Sequence, residues 1–414
     1  MKKVISSLFC LLILFAGACK SDKPETSDNK IIIGTIDSLY SKILNEERNI
    51  WVYVPEGNAL FARQKFPVVY LLDGGAHFYS VMGMIQQLSE VNGNMILPQM
   101  ILVGIPNTNR TRDLTPTHAE PDAQLDSAFM SASGGGEAFT SFIEKELVPY
   151  VDSVYPALPY RTFIGHSLGG LLVINTLINH TKLFNAYLSI DPSIWWDNKR
   201  LLDQAKDVLN EKDFSGTTFY LAVANTMAPG LDTSKVLSDT TAETRHIRSV
   251  LELSRYLRDN NKNNLKNRSK YYESDSHGSV PLIAEYDALR YIFSFYEPEI
   301  DYSRMKDPSY NIDSVINKYS EVLSENFGFA FPPPEAFINM MGYNLMSLKL
   351  YDKAFSVFEI NIKNYPKSAN VYDSMGELLM NKGDTVGAIE NYEKSLALFP
   401  GNDNAKEMIR KMKE

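Results

Sequence analysis

The strongest constraint in the sequence is the segment at residues 161–177, RTFIGHSLGGLLVINTL. An apolar run ends in Gly165-His166-Ser167-Leu168-Gly169, and a second apolar run of helical length begins at once. A strand that passes into a helix within one residue must turn sharply, so the positions two before and two after the turn must be small; both are glycine. The spacing predicts a buried strand, Ser167 on a strained turn, and a helix whose N-terminus favours negative charge developing beside it. G-x-S-x-G recurs by chance. The flanking strand and helix are what make Ser167 a candidate nucleophile.

The rest of residues 31–297 repeats this alternation. IIIGTID and RNIWVYVP suggest an initial antiparallel pair. FPVVYLLDG, MILVGI, RTFIGH, FNAYLSID, TTFYLAVAN and KYYESD follow as short strands. Helical patterns lie between and after them: FTSFIEKELVPYVDSVY, ETRHIRSVLELSRYLRDN and LIAEYDALRYIFSFY. Alternating strands and helices predict an α/β fold with a mostly parallel sheet covered on both faces. The net charge of −9, with no basic cluster, excludes a nucleic-acid surface. The six histidines are scattered without an H-E-x-x-H pattern, and the only cysteines are Cys10 and Cys19, so no metal site is expected. Gly134-Gly135-Gly136 lacks the Lys-Ser/Thr of a phosphate loop.

The two ends of the chain differ from this body. Residues 1–18 have a charged start, an apolar stretch and small residues before Cys19, the layout of a signal peptide. The segment resembles a bacterial lipoprotein signal, with Ala16 where leucine is usual, and the resemblance implies a lipid on Cys19. Residues 19–30 suit a tether between that anchor and a folded body. At the C-terminus, Gly342 and Gly376, Ala354 and Ala388, Phe358 and Tyr392, and Pro366 and Pro400 each lie 34 residues apart. These spacings resemble tetratricopeptide repeats. Residues 335–414 are then two repeats with a terminal helix, joined to the α/β body by a connecting helix and linker at 298–334. Two repeats cannot bury a continuous core, so they are expected to dock on the body through DSVINKYSEVLSE, as a stabilising cap or as a surface for a protein partner.

An activated serine needs a base, and in chains with this elbow the histidine comes last. His277 follows a strand in the loop SDSHGSVP, which suits that role; His246 falls in a helical pattern and is expected on a helix surface. LLDGGAHF, NRTRDLTPT, GGGEAFTSFIEKELVPYVDS, GHSLGG, SIDPSIWWD and DSHGSVP together resemble the esterase family of esterase D, feruloyl esterases and enterochelin esterase-like enzymes. The resemblance covers residues 31–297. It implies an α/β-hydrolase fold, ester hydrolysis through an acyl-enzyme and no cofactor. It also implies an oxyanion hole from the N–H of Leu168 and the N–H of Gly75. Asp73, in the same loop as Gly75, suits a turn carboxylate. The usual position of the acid, after TFYLAVAN, offers Asp232 first, seven residues beyond Asn225, with Asp239 and Glu243 as third choices. Asp191 stands where relatives commonly carry serine, and is preferred to Asp232. Trp195 and Trp196 either wall the substrate pocket or pack the core. Arg110, Arg112 and Asp113 either position a loop or form internal ion pairs.

These features lead to an expected exported serine esterase in the cell envelope, taking a small-molecule or carbohydrate ester. Its membrane contact would be the lipid anchor. Siderophore esters and acyl esters of carbohydrates both fit; export and the lack of a basic cluster tilt the expectation toward carbohydrate. An acyltransferase, or a hydrolase-fold binding protein that recruits a partner through its repeats, are the alternatives.

Overall fold

The computed structural model describes residues 31–57, 59–61, 64–119, 126–260 and 263–414. The signal segment, Cys19 and the tether fall before or at the edge of these, in residues 1–30, and lie outside the described residues. β1 (Thr35–Ser41) and β2 (Glu46–Tyr53) form the expected antiparallel hairpin. They join β3 (Phe66–Leu72), β4 (Ile101–Ile105), β5 (Ala157–His166), β6 (Ala186–Ile190), β7 (Thr218–Ala224) and β8 (Lys266–Tyr272) in one sheet of order β1-β2-β4-β3-β5-β6-β7-β8. β2 meets β4 antiparallel, and every pair from β4–β3 to β7–β8 is parallel.

β3, β4, β6 and β7 are buried along their whole length, as parallel strands covered on both faces must be. β8 differs. It alternates exposed and half-buried residues and carries Lys266, Arg268 and Lys270, charges that keep a sheet edge from pairing with another chain. It also lies earlier than the expected Lys270–Asp275. Pairing with β7 from Thr218↔Lys266 to Ala224↔Tyr272 sets its register and frees residues 273–279 as a loop.

The helices in chain order are α1 (Gly74–Ser89), α2 (Arg110–Leu114), α3 (Ser127–Ser131), α4 (Gly136–Phe142), α5 (Val148–Val154), α6 (Leu168–Asn179), α7 (Trp196–Glu211), α8 (Arg245–Asp259) and α9 (Val280–Ile292). The segment expected as one helix, FTSFIEKELVPYVDSVY, is α4 and α5 joined by a π turn at Ile143–Leu147. Pro149 supplies no N–H to the helical ladder, and the wider turn absorbs that break. β4 lies on one side of β3 and β5 on the other. The connections therefore part at β3, the kind of switch point at which open α/β sheets bind ligands beyond the C-terminal ends of their strands.

α10 (Ile312–Phe327) leads into a helical region of α11 (Glu335–Ser347), α12 (Tyr351–Asn364), α13 (Ala369–Lys382), α14 (Thr385–Leu398) and α15 (Asp403–Lys413). α10 bridges it to the α/β body. The Tyr319 hydroxyl donates to the Tyr296 carbonyl at 2.6 Å and its ring meets Phe337, while Phe327 packs against Tyr160, Phe295 and Phe331. Lys353 Nζ adds a clasp, donating to the carbonyls of Met305, Asp307 and Tyr310 at 2.9–3.0 Å. Between paired helices, Gly342 lies under the Phe358 ring and Gly376 under Tyr392.

The two glycines are not equally constrained. A Cβ on Gly342 would sit 2.3 Å from the buried Phe358 ring, whereas one on Gly376 would sit 3.1 Å from Tyr392. Gly342→Ala is therefore expected to destabilise the protein by about 1–3 kcal/mol, as overpacking does. In Gly376→Ala, the gain in helix propensity of about 1 kcal/mol offsets most of the crowding. Thermal unfolding of the two variants side by side measures the difference.

Candidate active site

β5 and β6 both end in a residue that only a sharp turn explains. Ser167, directly after β5, has φ 60° and ψ −115°; Asp191, directly after β6, has φ 39°. Neither is glycine, and such backbone costs about 1–3 kcal/mol unless its surroundings fix it. Here they do. Ser167 N–H donates to the Ile190 carbonyl at 3.0 Å, Ser193 N–H donates to the Ser167 carbonyl at 3.0 Å, and Asp191 N–H donates to the Ala222 carbonyl at 2.8 Å. The tightness of the elbow falls on one glycine more than the other. A Cβ on Gly165 would lie 2.4 Å from the Gly169 carbonyl oxygen, whereas one on Gly169 would reach its nearest neighbour, Asp73 Oδ2, at 3.4 Å.

Asp191 has no exposed surface. Its Oδ1 accepts from Ala224 N–H at the end of β7 at 3.0 Å. Its Oδ2 meets two imidazoles, His277 Nδ1 at 2.6 Å and His246 Nε2 at 2.8 Å. Burial alone would push this carboxyl up, but the hydrogen bonds from His246, His277 and the Ala224 amide outweigh it and hold Asp191 well below the usual carboxylate range. Of the two candidate acids, Asp191 is the one brought to His277. Asp232 stands exposed in a turn, accepting from the N–H groups of Ser234 and Lys235. Asn225, where the acid is usually sought, has a different task. Its N–H donates to the Asp275 carbonyl and its amide to the Glu273 carbonyl, which anchors the loop that carries His277.

The Ser167 hydroxyl hydrogen-bonds Ser193 Oγ at 3.3 Å. His166, next to it, lies against His277 with ring centroids 4.4 Å apart. Burial, with the neighbouring imidazoles of His277 and His77 adding to it, pushes His166 down to about 4. Leu168 N–H and Gly75 N–H both belong to the first turns of helices, α6 and α1, where no carbonyl inside the helix accepts them. These two helices follow the adjacent strands β5 and β3. Asp73, in left-handed backbone before α1, is clamped by Arg110 at 2.7 and 3.0 Å and by Asn107 at 2.6 Å. Burial pushes the Asp73 carboxyl up, yet those donors hold it below its ordinary value. Arg110 also donates to the His166 carbonyl, tying the two helix starts together. Arg112 and Asp113 form an internal network with Glu46 and Arg48.

Two expectations need correcting. Trp196 is not a pocket wall: it is 1% exposed, its indole N–H donates to the Thr117 carbonyl, and its ring packs on Phe129. His246 is not a helix-surface residue. It sits in the first turn of α8, half-buried, and the loop before that helix delivers it to Asp191. Trp195 is half-buried; its indole N–H donates to His246 Nδ1 at 3.0 Å, and Arg245 covers its ring at 4.3 Å. Nothing in the helical periodicity of α8 could have announced His246. Ser193 was equally silent, because its part depends on the strand end folding back over Ser167.

Among the described residues, Asp191, His246 and His277 form the group whose ligand atoms lie close enough together, within 4.8 Å, to hold a metal ion. The indole of Trp195 opposes that use. Indole is only a donor, so His246 Nδ1 accepts and the ring proton sits on Nε2, the atom from which a metal would need a lone pair. The set suits a hydrogen-bonded carboxylate.

The family described as Putative esterase matches residues 41–274, more than half of the chain. The chain belongs to this family. Within it, the chain is 32% identical over 150 residues to a siderophore enterobactin esterase of Emericella nidulans, across 33% of this chain and 50% of that one. It is 30% identical over 173 residues to the ferri-bacillibactin esterase BesA of Bacillus subtilis, across 38% of this chain and 58% of that one. The chain thus spans about half the length of the curated relatives it matches. A solved IroE-like serine hydrolase from Shewanella oneidensis superposes with a TM-score of 0.67 at 30% identity, covering 79% of this chain and 98% of that one.

Behind the site, Glu285 of α9 is 1% exposed and faces His77 Nδ1 at 3.6 Å and Ser80 Oγ at 3.4 Å. Burial pushes its carboxyl up to about 8. The unfolded chain therefore releases this proton first, and stability falls as pH rises from the ordinary carboxyl value of 4.5 toward 8. Glu285→Gln removes that slope. The variant is expected to match wild type near the lower pH and to exceed it near pH 8 by on the order of a few kcal/mol, read from urea midpoints at both.

Proposed function

We propose that the chain is a serine carboxylic-ester hydrolase whose triad is Ser167, His277 and Asp191. The observation that carries this reading is the pair of strained strand ends. They hold Ser167 on its elbow and Asp191, one strand over, against His277 Nδ1 at 2.6 Å. A donor at Nδ1 leaves the far nitrogen of His277 as the base. Ser167 Oγ attacks the ester carbonyl as His277 takes its proton. The oxyanion forms against Leu168 N–H and Gly75 N–H, and His277 then protonates the departing alcohol. Water repeats the sequence on the acyl-enzyme. No step requires a cofactor.

The substrate we propose is a siderophore ester. The relatives' names support this over the carbohydrate esters toward which the sequence tilted: one is an enterobactin esterase and another a ferri-bacillibactin esterase. Transfer of the acyl group to another hydroxyl, in place of hydrolysis, shares the first half-reaction and would be recognised by its acceptor. The reading extends to an exported chain anchored in the cell envelope through Cys19. It also extends to helices α11–α15 as a tetratricopeptide-like cap, supported by the 34-residue recurrence and by the docking of α10.

A fluorophosphonate probe is expected to label the wild type and not Ser167→Ala, with hydrolysis of a short aryl ester lost in parallel. Asp191→Asn should lower kcat by roughly 10³–10⁴, as loss of the acid's orienting bond does elsewhere, while Asp232→Asn leaves it within about twofold. A cyclic catecholate triester and an acetylated polysaccharide, offered to the same preparation, decide the substrate class. Label retained by Ser167→Ala would overturn the mechanism.

A further inference from the structure

We infer that His246 is a positioning residue of the same site, a second histidine that fixes the Asp191 carboxylate for His277, with Trp195 setting its tautomer. This rests on the triad reading above.

Asp191 Oδ2 is shared by two imidazole N–H groups, and Oδ1 is held by the Ala224 amide. With the Ala224 amide on Oδ1 and His277 on Oδ2, rotation about the Cβ–Cγ bond already breaks two hydrogen bonds, and His246 adds a third. Three donors from three separate elements, the β7 end, the α8 start and the loop after β8, leave one orientation that satisfies them all. His246 works as a donor only if its single ring proton is on Nε2. Trp195 enforces this, because its donor-only indole faces Nδ1 at 3.0 Å and a proton there would set two donors against each other. Trp195 is positioned in turn. It follows the Asp191-Pro192-Ser193-Ile194 turn directly, and Arg245, the neighbour of His246 on α8, lies over its ring at 4.3 Å. The helix is itself tied down by Glu252, which pairs with Lys199 and Lys206 of α7 at 2.9 and 2.5 Å. The result is a relay of hydrogen bonds, Trp195 to His246 to Asp191, that converges with His277 on one oxygen. The sequence carries the parts 51 residues apart, as a tryptophan after one strand and a histidine at the start of a later helix.

The test uses the full chain with His246→Leu, His246→Gln and Trp195→Phe. Leucine removes the donor and fills the space; glutamine places an amide N–H₂ where Nε2 stood. One hydrogen bond to a charged group is worth a rate factor of about 10–100. His246→Leu is expected to lower kcat by that factor with KM within about twofold, and His246→Gln to recover most of the loss. Trp195→Phe should fall between them. Side-chain nitrogen NMR of the wild type should show His246 protonated at Nε2 only, with Nδ1 carrying the shift of a hydrogen-bond acceptor that Trp195→Phe loses. Either of two kinetic results overturns the proposal: a folded His246→Leu with unchanged kcat, or a His246→Gln as impaired as leucine. A wild-type spectrum with the proton on Nδ1 also overturns it, and would favour metal binding at Nε2. If Ser167→Ala keeps full activity, the triad reading fails by itself. The tautomer measurement still decides the role of His246, because it needs no turnover.

Discussion

A carboxylate shut off from solvent can stay ionised only if the protein supplies the donors that water would have given. Asp191 is such a group, and much of the upper edge of the sheet is arranged around it. The β7 end presents the Ala224 amide, the loop after β8 presents His277, and α8 presents His246. Removing any one donor leaves the remaining two to hold the same buried charge. This is why elements far apart in the chain converge at one point, and why a residue one strand from the serine sets the position of a histidine two strands further on.

The strained turn at Ser167 depends on the same edge. Its backbone is fixed by Ile190 and Ser193, the residues on either side of the Asp191-Pro192 turn. The two unfavourable conformations are thus linked through one turn, with Ser167 bonded to the residues that flank it and Asp191 held separately by the Ala222 carbonyl. Strain here has a consequence for chemistry. It sets Ser167 directly before the first turn of α6, beside backbone N–H groups that no carbonyl inside the helix accepts, which is where the proposed oxyanion would form.

What the sequence disclosed follows from how local each signal is. Gly165-His166-Ser167-Leu168-Gly169 was legible because the collision that demands Gly165 is with Gly169, four residues away. The parallel sheet was legible because strands buried on both faces are apolar throughout. That Asp191 rather than Asp232 lies against His277 was half legible: position pointed to it, but only the tertiary contact shows it. Trp195 and Trp196 were not separable, since adjacent residues at a turn diverge and only tertiary packing shows which one enters the core. His246 was hidden for a physical reason. A histidine in the first turn of an amphipathic helix has the same spacing whether it faces solvent or a carboxylate, and only the path of the preceding loop distinguishes the two.

The C-terminal helices show the same principle at longer range. The 34-residue recurrence places Gly342 with Gly376 and Phe358 with Tyr392, yet the contact distances of the two pairs differ by most of an ångström. The first pair lies nearer α10, where Phe337 meets Tyr319 and Tyr319 in turn bonds the α/β body. The second faces the chain end, closed by the helix from Asp403 to Lys413. A repeat pressed against a rigid neighbour has less room to relax than one capped by a short amphipathic helix. The helical region is tied to the α/β body through α10 at its first helix pair, and again before and at the start of α13, where Ser368 Oγ and Asn370 N–H donate to the Leu60 carbonyl. Changes in the body near Tyr296 or Phe327 should reach Gly342 before they reach Gly376.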